Sequence, residues 1–163
     1  MGSTLVNWGG EVKLTWVKDT KPPQPSELIT SVHGFCFQEN KLLLVNLNHR
    51  GWDFPGGHIE VGESSEECFC REAMEEGYVE GDSEILGYII VDHCNNVNWS
   101  EESKYPKLGY QLFYKMNITK VYLFEGNFES SQRIFISPSN VSQLYNGWNN
   151  LYQEILECAI RQT

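Results

Sequence analysis

The sequence predicts a mixed α/β (α+β) protein in which strands outnumber helices. Several short segments are rich in β-branched and aromatic residues and alternate in the way that half-buried strands do. Two other segments place apolar residues at intervals of three and four, the spacing of one helix face. The two helical segments are separated by strand-like runs, so a mixed sheet covered by helices is expected rather than a helix bundle.

Length and composition indicate a single folded domain over residues 1–163. The chain is 40% hydrophobic and 13% aromatic, which is enough apolar material for a packed core. We expect that core over residues 28–137, with a short strand at 11–17 added to its sheet. A Pro-rich connector, KPPQPSE, joins the two parts.

Net charge and cysteine usage exclude several classes of partner. The formal net charge is -10 and the sequence pI is near 4.8, which argues against nucleic acid or an anionic membrane as partner. There are five cysteines with no CxxC pair, so neither a disulfide framework nor a zinc site is indicated. No long apolar run is present. We therefore expect a cytoplasmic protein with reduced thiols. Monomer and homodimer are both open, because the sequence does not give the oligomeric state.

The elements follow in chain order from the same patterns. A hairpin is predicted where a three-residue turn separates two apolar runs, and a glycine-rich loop, HRGWDFPGG, leads from it into the first helix. The expected elements are strands at 11–17, 28–37 and 41–48, a helix at 65–76, strands at 85–93, 110–118, 121–126 and 133–137, and a helix at about 139–160.

The first helix has a predicted start, stop and polar face. Ser64 is suited to be its N-cap, and Glu67 three residues later completes a capping box. Gly77 stands where a helix commonly ends in a left-handed residue. Glutamates at spacings of three and four share one face, and no cationic residue is expected on it; they are Glu72, Glu75 and Glu76.

Two interpretations of this acidic face are open. Clustered carboxylates repel one another, and an exposed acidic face that water solvates is the simpler interpretation. A site for a hard cation such as Mg²⁺ is the alternative, because Mg²⁺ prefers oxygen ligands. The glycine pair that precedes the helix favours the second interpretation, since glycine lets backbone atoms approach a ligand closely.

The segment from residue 57 to residue 79 resembles the Nudix box. That motif reads Gly, five residues, Glu, seven residues, Arg-Glu, an aliphatic residue, any residue, Glu-Glu, any residue, Gly and an aliphatic residue. Tyr78 departs from it where the family has Gly, which leaves the path out of the helix open. The other fixed positions are filled by Gly57, Glu63, Arg71, Glu72, Ala73, Glu75, Glu76 and Val79.

The resemblance implies a fold, a cofactor and a set of roles. The fold would be an α/β/α sandwich with a mixed sheet, and the cofactor Mg²⁺ or Mn²⁺. Arg71 would pair with Glu63, and both would be structural or orienting. Glu75 would be a ligand or the base that activates water. The metal ligands would be the carboxylates of Glu72, Glu75 and Glu76 and the carbonyl of Gly56.

Candidate substrate contacts lie outside the box. Arg50 and His58 are suited to phosphate, although His58 can equally be a loop residue facing solvent. Glu129 is the better candidate for a further acid, with Glu125 as the alternative. Aromatic residues available for stacking on a base are Trp52, Trp99, Tyr105 and Tyr110, whereas Phe54 is expected in the core.

The resemblance implies hydrolysis of a nucleoside diphosphate linked to another group. Signatures of the ADP-ribose, dinucleoside polyphosphate and coenzyme A subfamilies are not found around the box. By elimination the chain resembles MutT-type enzymes, which cleave a nucleoside triphosphate, in some cases an oxidised purine nucleotide, to the monophosphate and pyrophosphate. A hydrolase of another nucleotide derivative, such as a nucleotide sugar, and a non-catalytic nucleotide-sensing module are the alternatives.

Overall fold

The computed structural model describes residues 2–162 and contains one mixed sheet with helices on both faces. This confirms the predicted fold class. The strands are β1 (Ser3–Asn7), β2 (Glu11–Lys18), β3 (Ile29–Gln38), β4 (Lys41–Leu47), β5 (Gly51–Asp53), β6 (Gly56–Gly57), β7 (Val79–Asp92), β8 (Leu108–Val121) and β9 (Ser130–Ile136). The helices are α1 (Ser65–Gly77), α2 (Val141–Leu144) and α3 (Asn150–Arg161).

The strands of the sheet run in the order β1-β2-β7-β8-β3-β4-β5. β6 pairs with β3, and β9 pairs with β4. The β3–β8 pair is parallel, whereas β2–β7 and β7–β8 are antiparallel. Since β6 lies beside β3, the two glycines that precede α1 are hydrogen-bonded into the sheet rather than left in a free loop.

Alternating residues of the central strands face two separate cores. Phe35 and Phe113 belong to the core under α3, whereas Cys36 and Tyr114 belong to the core under α1. Phe69 of α1 stacks on Tyr114, with 5.5 Å between ring centroids. This alternation follows from the two-residue period of a strand and produces the α/β/α sandwich that was predicted.

The start of α1 is as predicted, but its end is not. Ser64 accepts from the Glu67 amide and the Glu67 side chain accepts from the Ser64 amide, which confirms the capping box. Gly77 remains helical, and Tyr78 takes the left-handed conformation instead, with φ 56° and ψ 44°. Gly77 is needed for a different reason: a Cβ there would lie 2.6 Å from Leu43 Cδ2 on β4.

The predicted helix at about 139–160 is wrong as one continuous element. A 3₁₀ turn, Pro138–Asn140, leads into the short α2, and the chain becomes extended at Tyr145. Gly147 has a φ of 85°, which an α-helix does not allow. The Asn149 side chain then accepts from the Tyr152 amide and caps α3. The apolar periodicity persists across the break because both parts pack on the same core.

Three strand predictions also need correction, and three short strands, β1, β5 and β6, were not predicted. β7 begins at Val79 rather than at residue 85, and β8 extends to Val121. Of the strand predicted at 121–126, Val121 ends β8 and residues 122–126 have no regular secondary structure. No helix within residues 2–162 is long and apolar enough to span a membrane.

A buried lysine connects β8 to the end of α3. The Lys115 side chain is 1% exposed, its Nζ donates to the Ala159 carbonyl at 2.7 Å, and it lies 5.4 Å from the Phe37 ring centroid. Burial lowers the pKa of Lys115. The ammonium therefore caps the last turn of α3, where the helix dipole favours a positive charge.

Replacement of Lys115 by Ala is expected to lower the free energy of unfolding by about 3 kcal/mol, because it removes both the cap and a buried aliphatic stem. Urea denaturation measures this. Lys120→Ala, an exposed lysine of the same strand, is the matched control and should cost less than about 0.5 kcal/mol. Equal stabilities of the two variants would contradict the capping role.

Candidate active site

A cavity of about 730 Å³ lies where β3, β6 and α1 meet. Its volume is within the range of small-molecule sites, about 300–1,000 Å³. Carboxylates from α1 line it, together with basic and aromatic residues from the neighbouring loops and strands. Predicted site residues that line it are Arg50, Gly56, His58, Arg71, Glu72, Glu76 and Glu129. Glu63 and Glu75 are not among its lining residues.

Glu76 is the most buried carboxylate of the site, with a 3% exposed residue surface. Its Oε1 accepts from the Gly56 amide at 3.0 Å, which fixes the side chain against β6. Burial raises the pKa of Glu76 to about 8; the Gly56 amide opposes this increase, and the nearby charges of Glu72, Asp53 and Glu129 add to it. No cation within residues 2–162 forms an ion pair with it.

Arg71 pairs with Glu63, which precedes α1, and with Glu72 and Glu75 on it. Its guanidinium binds Glu63 in a bidentate way, with Nε–Oε2 at 2.7 Å and Nη2–Oε1 at 3.0 Å. Its Nη1 also donates to Glu72 Oε1 at 2.7 Å and to Glu75 Oε2 at 3.0 Å. The expected Arg71–Glu63 pair is therefore present. The expectation that no cation lies on the acidic face is wrong. The Arg71 side chain forms ion pairs with Glu72 at i+1 and Glu75 at i+4 on its own helix.

The carboxylate oxygens of α1 are ligands that suit a divalent cation, although their side chains do not converge on one point in this structure. Within residues 2–162, no three acidic, histidine or cysteine side chains are close enough together to hold a metal ion. Arg71 Nη1 bridges Glu72 and Glu75 instead. Burial also raises the pKa of Glu72, so Glu72 and Glu76 are two desolvated carboxylates in one cavity. Such a pair is suited to Mg²⁺ or Mn²⁺, which take oxygen ligands.

A comparison with known protein families gives one match to this region. The family model described as NUDIX domain matches residues 27–111, just over half of the chain. The chain belongs to the Nudix family. The matched segment contains the box helix, the glycine pair and the strands that hold them. The predicted assignment to the Nudix hydrolases is confirmed at this level.

Solved structures share the fold of this Nudix chain. A mutant of the Bacillus subtilis pyrophosphohydrolase BsRppH is 21% identical, with a TM-score of 0.76, and the match covers 99% of this chain and 98% of that one. The NUDIX domain of Shewanella oneidensis NrtR, complexed with ADP ribose, is 19% identical with a TM-score of 0.60, covering 86% and 94%. An ADP-ribose pyrophosphatase from Streptococcus suis is 23% identical with a TM-score of 0.55, covering 83% and 92%. No curated protein gives a significant match.

The second glycine of the Nudix loop lies directly against a box carboxylate. A Cβ at Gly57 would be 2.6 Å from Glu72 Oε1 and 2.7 Å from Glu72 Cδ. A side chain at this position would therefore displace the Glu72 carboxylate from the cavity. Glycine is required here for the placement of Glu72.

Gly57→Ala is therefore expected to lower kcat by at least about tenfold with little change in stability, because the Glu72 carboxylate is the flexible end of its side chain. Steady-state kinetics and thermal denaturation of the same samples measure the two effects. A variant with wild-type kcat would show that the position of Glu72 is not critical. A variant with a large loss of stability would show that Glu72 cannot move aside.

The substrate-contact candidates predicted from the sequence lie in different surroundings in the structure. His58 Nδ1 donates to the Thr30 carbonyl at 2.7 Å, since a carbonyl can only accept, and this leaves Nε2 as an acceptor in its neutral form. Arg50 is mostly exposed and lies 3.6 Å from Asp53. Glu129 lines the cavity, whereas Glu125 does not. Phe54 is buried in the core, in the position expected from the sequence.

Sequence reasoning missed three residues of the site. His33, on β3, lines the cavity, and burial lowers its pKa to about 4, so it is neutral. Asp53 lies close enough to raise the pKa of Glu76. Trp8 reaches the cavity from the turn between β1 and β2. In the sequence, His33 in a strand and Asp53 next to the FPGG turn were weak indications of a site. Nothing in the sequence around Trp8 indicated one.

Proposed function

We propose that this Nudix chain is a Mg²⁺- or Mn²⁺-dependent pyrophosphohydrolase that cleaves a nucleoside diphosphate linked to another group. The preferred substrate is a nucleoside triphosphate, which includes oxidised purine nucleotides, and the products are the monophosphate and pyrophosphate. The observation that carries the proposal is the cavity itself, which is lined by the desolvated carboxylates of Glu72 and Glu76 together with Arg50 and His58.

The carboxylates and the Gly56 carbonyl account for the metal requirement. Glu72, Glu75, Glu76 and the Gly56 carbonyl would hold the ion, which when bound supplies Lewis-acid activation and offsets the charge of the phosphates. Both the chain and its substrate are strongly anionic, so they repel each other without that charge.

The chain's own side chains supply orientation and proton transfer. Arg71 holds Glu72 and Glu75 in one arrangement and is itself anchored by Glu63, whose pKa hydrogen bonds from Arg71 lower to about 2. The Glu75 side chain is more exposed than that of Glu72, at 32% against 14%. Glu75 does not itself line the cavity, but Arg71 Nη1 joins it to Glu72, which does, and in this proposal Glu75 accepts a proton from the attacking water. Arg50 would contact the phosphates, and His58 would do so as the imidazolium, in which Nε2 also donates.

Direct attack by water suits this site better than a covalent intermediate. Cys68 is the thiol nearest to the Arg71 cluster, with its Sγ 3.8 Å from Nη2. Burial raises the pKa of Cys68 to about 12, so its nucleophilic thiolate is disfavoured. The proposed nucleophile is therefore a water molecule activated by a carboxylate.

A second candidate substrate is an ADP-ribose-like nucleotide sugar. Two of the similar folds bear on it: one is described as an ADP-ribose pyrophosphatase and another as complexed with ADP ribose. BsRppH, which matches almost the whole chain, is described as a pyrophosphohydrolase and favours the first candidate. The bond cleaved would be a phosphoanhydride in either case.

A chromatographic assay of nucleoside monophosphate release from a nucleotide panel tests the proposal. Neither reaction frees inorganic phosphate, because a triphosphate gives the monophosphate and pyrophosphate, and ADP-ribose gives AMP and ribose 5-phosphate. The panel contains the ordinary and oxidised nucleoside triphosphates, ADP-ribose and other nucleotide sugars, each with Mg²⁺, with Mn²⁺ and with a chelator. Metal-dependent release from one class identifies the substrate. Binding of a nucleotide with no release from any compound would overturn the enzymatic proposal in favour of a sensing module.

We also propose that the whole chain, residues 1–163, acts as one domain. The family match ends at residue 111, so it does not bear on the N-terminal hairpin or on α3. β1 and β2 continue the central sheet through β7, and α3 shares a core with β2. Removal of residues 1–18 should therefore destabilise the rest of the chain.

A further inference from the structure

The hairpin of β1 and β2 places Trp8 on the wall of the active-site cavity. Trp8 lies in the turn between the two strands and is 43% exposed. It lines the main cavity, which also contains Glu72 and Glu76, and it lines a second cavity of about 150 Å³. Residues that line both cavities are Trp8, His33, Arg50 and Gln111. Trp8 therefore stands where the two spaces meet.

The turn that carries Trp8 is held in place by contacts at both ends. The Trp8 amide donates to the Gly10 carbonyl at 3.1 Å, and the Gly10 amide donates to Asn7 Oδ1 at 3.0 Å. The Gly9 carbonyl accepts from Asn98 Nδ2 at 2.6 Å. A Cβ at Gly10 would overlap Asn96, so the turn packs directly on the loop that follows β7. Trp8 is fixed by the hairpin rather than free to move with a chain end.

The other lining residues on this side suit a heteroaromatic ring. Tyr105 lines the main cavity and is 44% exposed, and the loop that carries it is closed by the Trp99 indole donating to the Tyr105 carbonyl at 3.0 Å. The second cavity has aromatic walls, formed by Phe54, Phe113, Tyr145 and Tyr152. Indole and phenol rings that remain partly exposed inside a cavity offer stacking surfaces for a base.

We infer that Trp8 is a specificity-determining residue that stacks on the nucleobase of the substrate. The inference rests on the proposed function. Phosphates would lie beside the carboxylates of α1, and the base would lie against Trp8, which also lines the second cavity with its aromatic walls. The N-terminal hairpin, which lies outside the family match at residues 27–111, thereby forms part of the substrate site. An alternative is that Trp8 only covers the loop beneath it.

Binding of uncleavable ligands tests this role separately from catalysis. The probes are AMP, GMP, CMP and UMP on one side and ribose 5-phosphate on the other, each titrated calorimetrically with Mg²⁺ present. None of them contains a phosphoanhydride bond, so none is turned over. The wild type should bind at least one nucleoside monophosphate more tightly than ribose 5-phosphate. Trp8→Ala should weaken that binding by about tenfold and leave ribose 5-phosphate unchanged.

Two variants serve as controls. Trp8→Phe keeps an aromatic face and should remain within about threefold of the wild type. Leu5→Ala changes an exposed apolar residue of the same hairpin that does not line either cavity, and should have no effect on binding. Thermal denaturation of each variant separates loss of stacking from loss of the hairpin.

Three results would overturn the inference. The first is a wild type that prefers no nucleoside monophosphate over ribose 5-phosphate. The second is a Trp8→Ala variant that binds every monophosphate as the wild type does. The third is an equal loss for ribose 5-phosphate, which would indicate a general disturbance of the cavity. Failure of the enzymatic proposal gives a different pattern, in which base-dependent binding persists and no compound of the panel releases a nucleoside monophosphate.

Discussion

Replacement of Glu76 by Gln is expected to lower kcat by about 10³-fold while the fold becomes no less stable. Glutamine keeps an oxygen that can accept from the Gly56 amide and fits the same space. It removes the charge on which metal binding depends, and a loss of about 4 kcal/mol of transition-state stabilisation corresponds to this factor. Because the carboxylate is buried without a cationic partner among the described residues, losing its charge should stabilise the metal-free protein.

Opposite changes in activity and stability distinguish this result from simple damage to the fold. Turnover is measured on the substrate that the panel identifies, and stability by thermal denaturation in chelator and in Mg²⁺. Mg²⁺ should stabilise the wild type by mass action and have a much smaller effect on Glu76→Gln. Glu157→Gln makes the same chemical change on an exposed face of α3 and should alter neither quantity. Turnover of Glu76→Gln within a few-fold of the wild type would contradict the role of Glu76.

The local parts of the site could be predicted from the sequence because their signals lie within one helix. The capping box and the one-sided placement of Glu72, Glu75 and Glu76 depend only on spacing along α1. Differences among these carboxylates depend on the sheet beneath them. Glu76 meets the Gly56 amide only because β6 pairs with β3. No spacing rule gives that contact.

The course of Arg71 was missed for a similar reason. Helical geometry places residue i+4 beside it, but a long arginine can also turn toward i+1 and across the preceding loop to Glu63. Which of these partners it takes is decided by where the loop folds. The sequence suggested an acidic face without a counter-charge. In the structure its carboxylates form ion pairs with Arg71.

Larger elements were misplaced where tertiary packing overrides local pattern. Leu144 and Trp148 keep helical spacing across the Gly147 break because both pack against the core under α3. β1 has alternating residues of only intermediate burial, so its sequence carried little signal, and its pairing with β2 defines it. The loop position of Trp8 follows from that pairing and could not be anticipated without it.

Replacement of Arg71 by Ala is expected to give the largest loss of stability among the site variants, about 3 kcal/mol, together with a fall in kcat of about 100-fold. The guanidinium is the shared partner of Glu60, Glu63, Glu72 and Glu75. Without it, partly buried carboxylates face one another with no counter-charge, and breaking a buried ion pair from one side costs about 3–5 kcal/mol before the remaining exposure is considered. The fall in kcat follows because Glu72 and Glu75 lose the group that orients them.

Arg71→Lys should recover less than half of either loss, because an ammonium cannot form the bidentate contact with Glu63 while also reaching Glu72 and Glu75. Arg50→Ala is the matched control for stability, since Arg50 is largely exposed and its single ion pair spans 3.6 Å; it should cost less than about 1 kcal/mol. Adding Glu63→Gln to Arg71→Ala should cost much less than Glu63→Gln alone, since the two residues act as a unit. Additive losses in this cycle, measured by urea denaturation, would mean that Glu63 and Arg71 stabilise the helix independently and that the network does not orient the carboxylates.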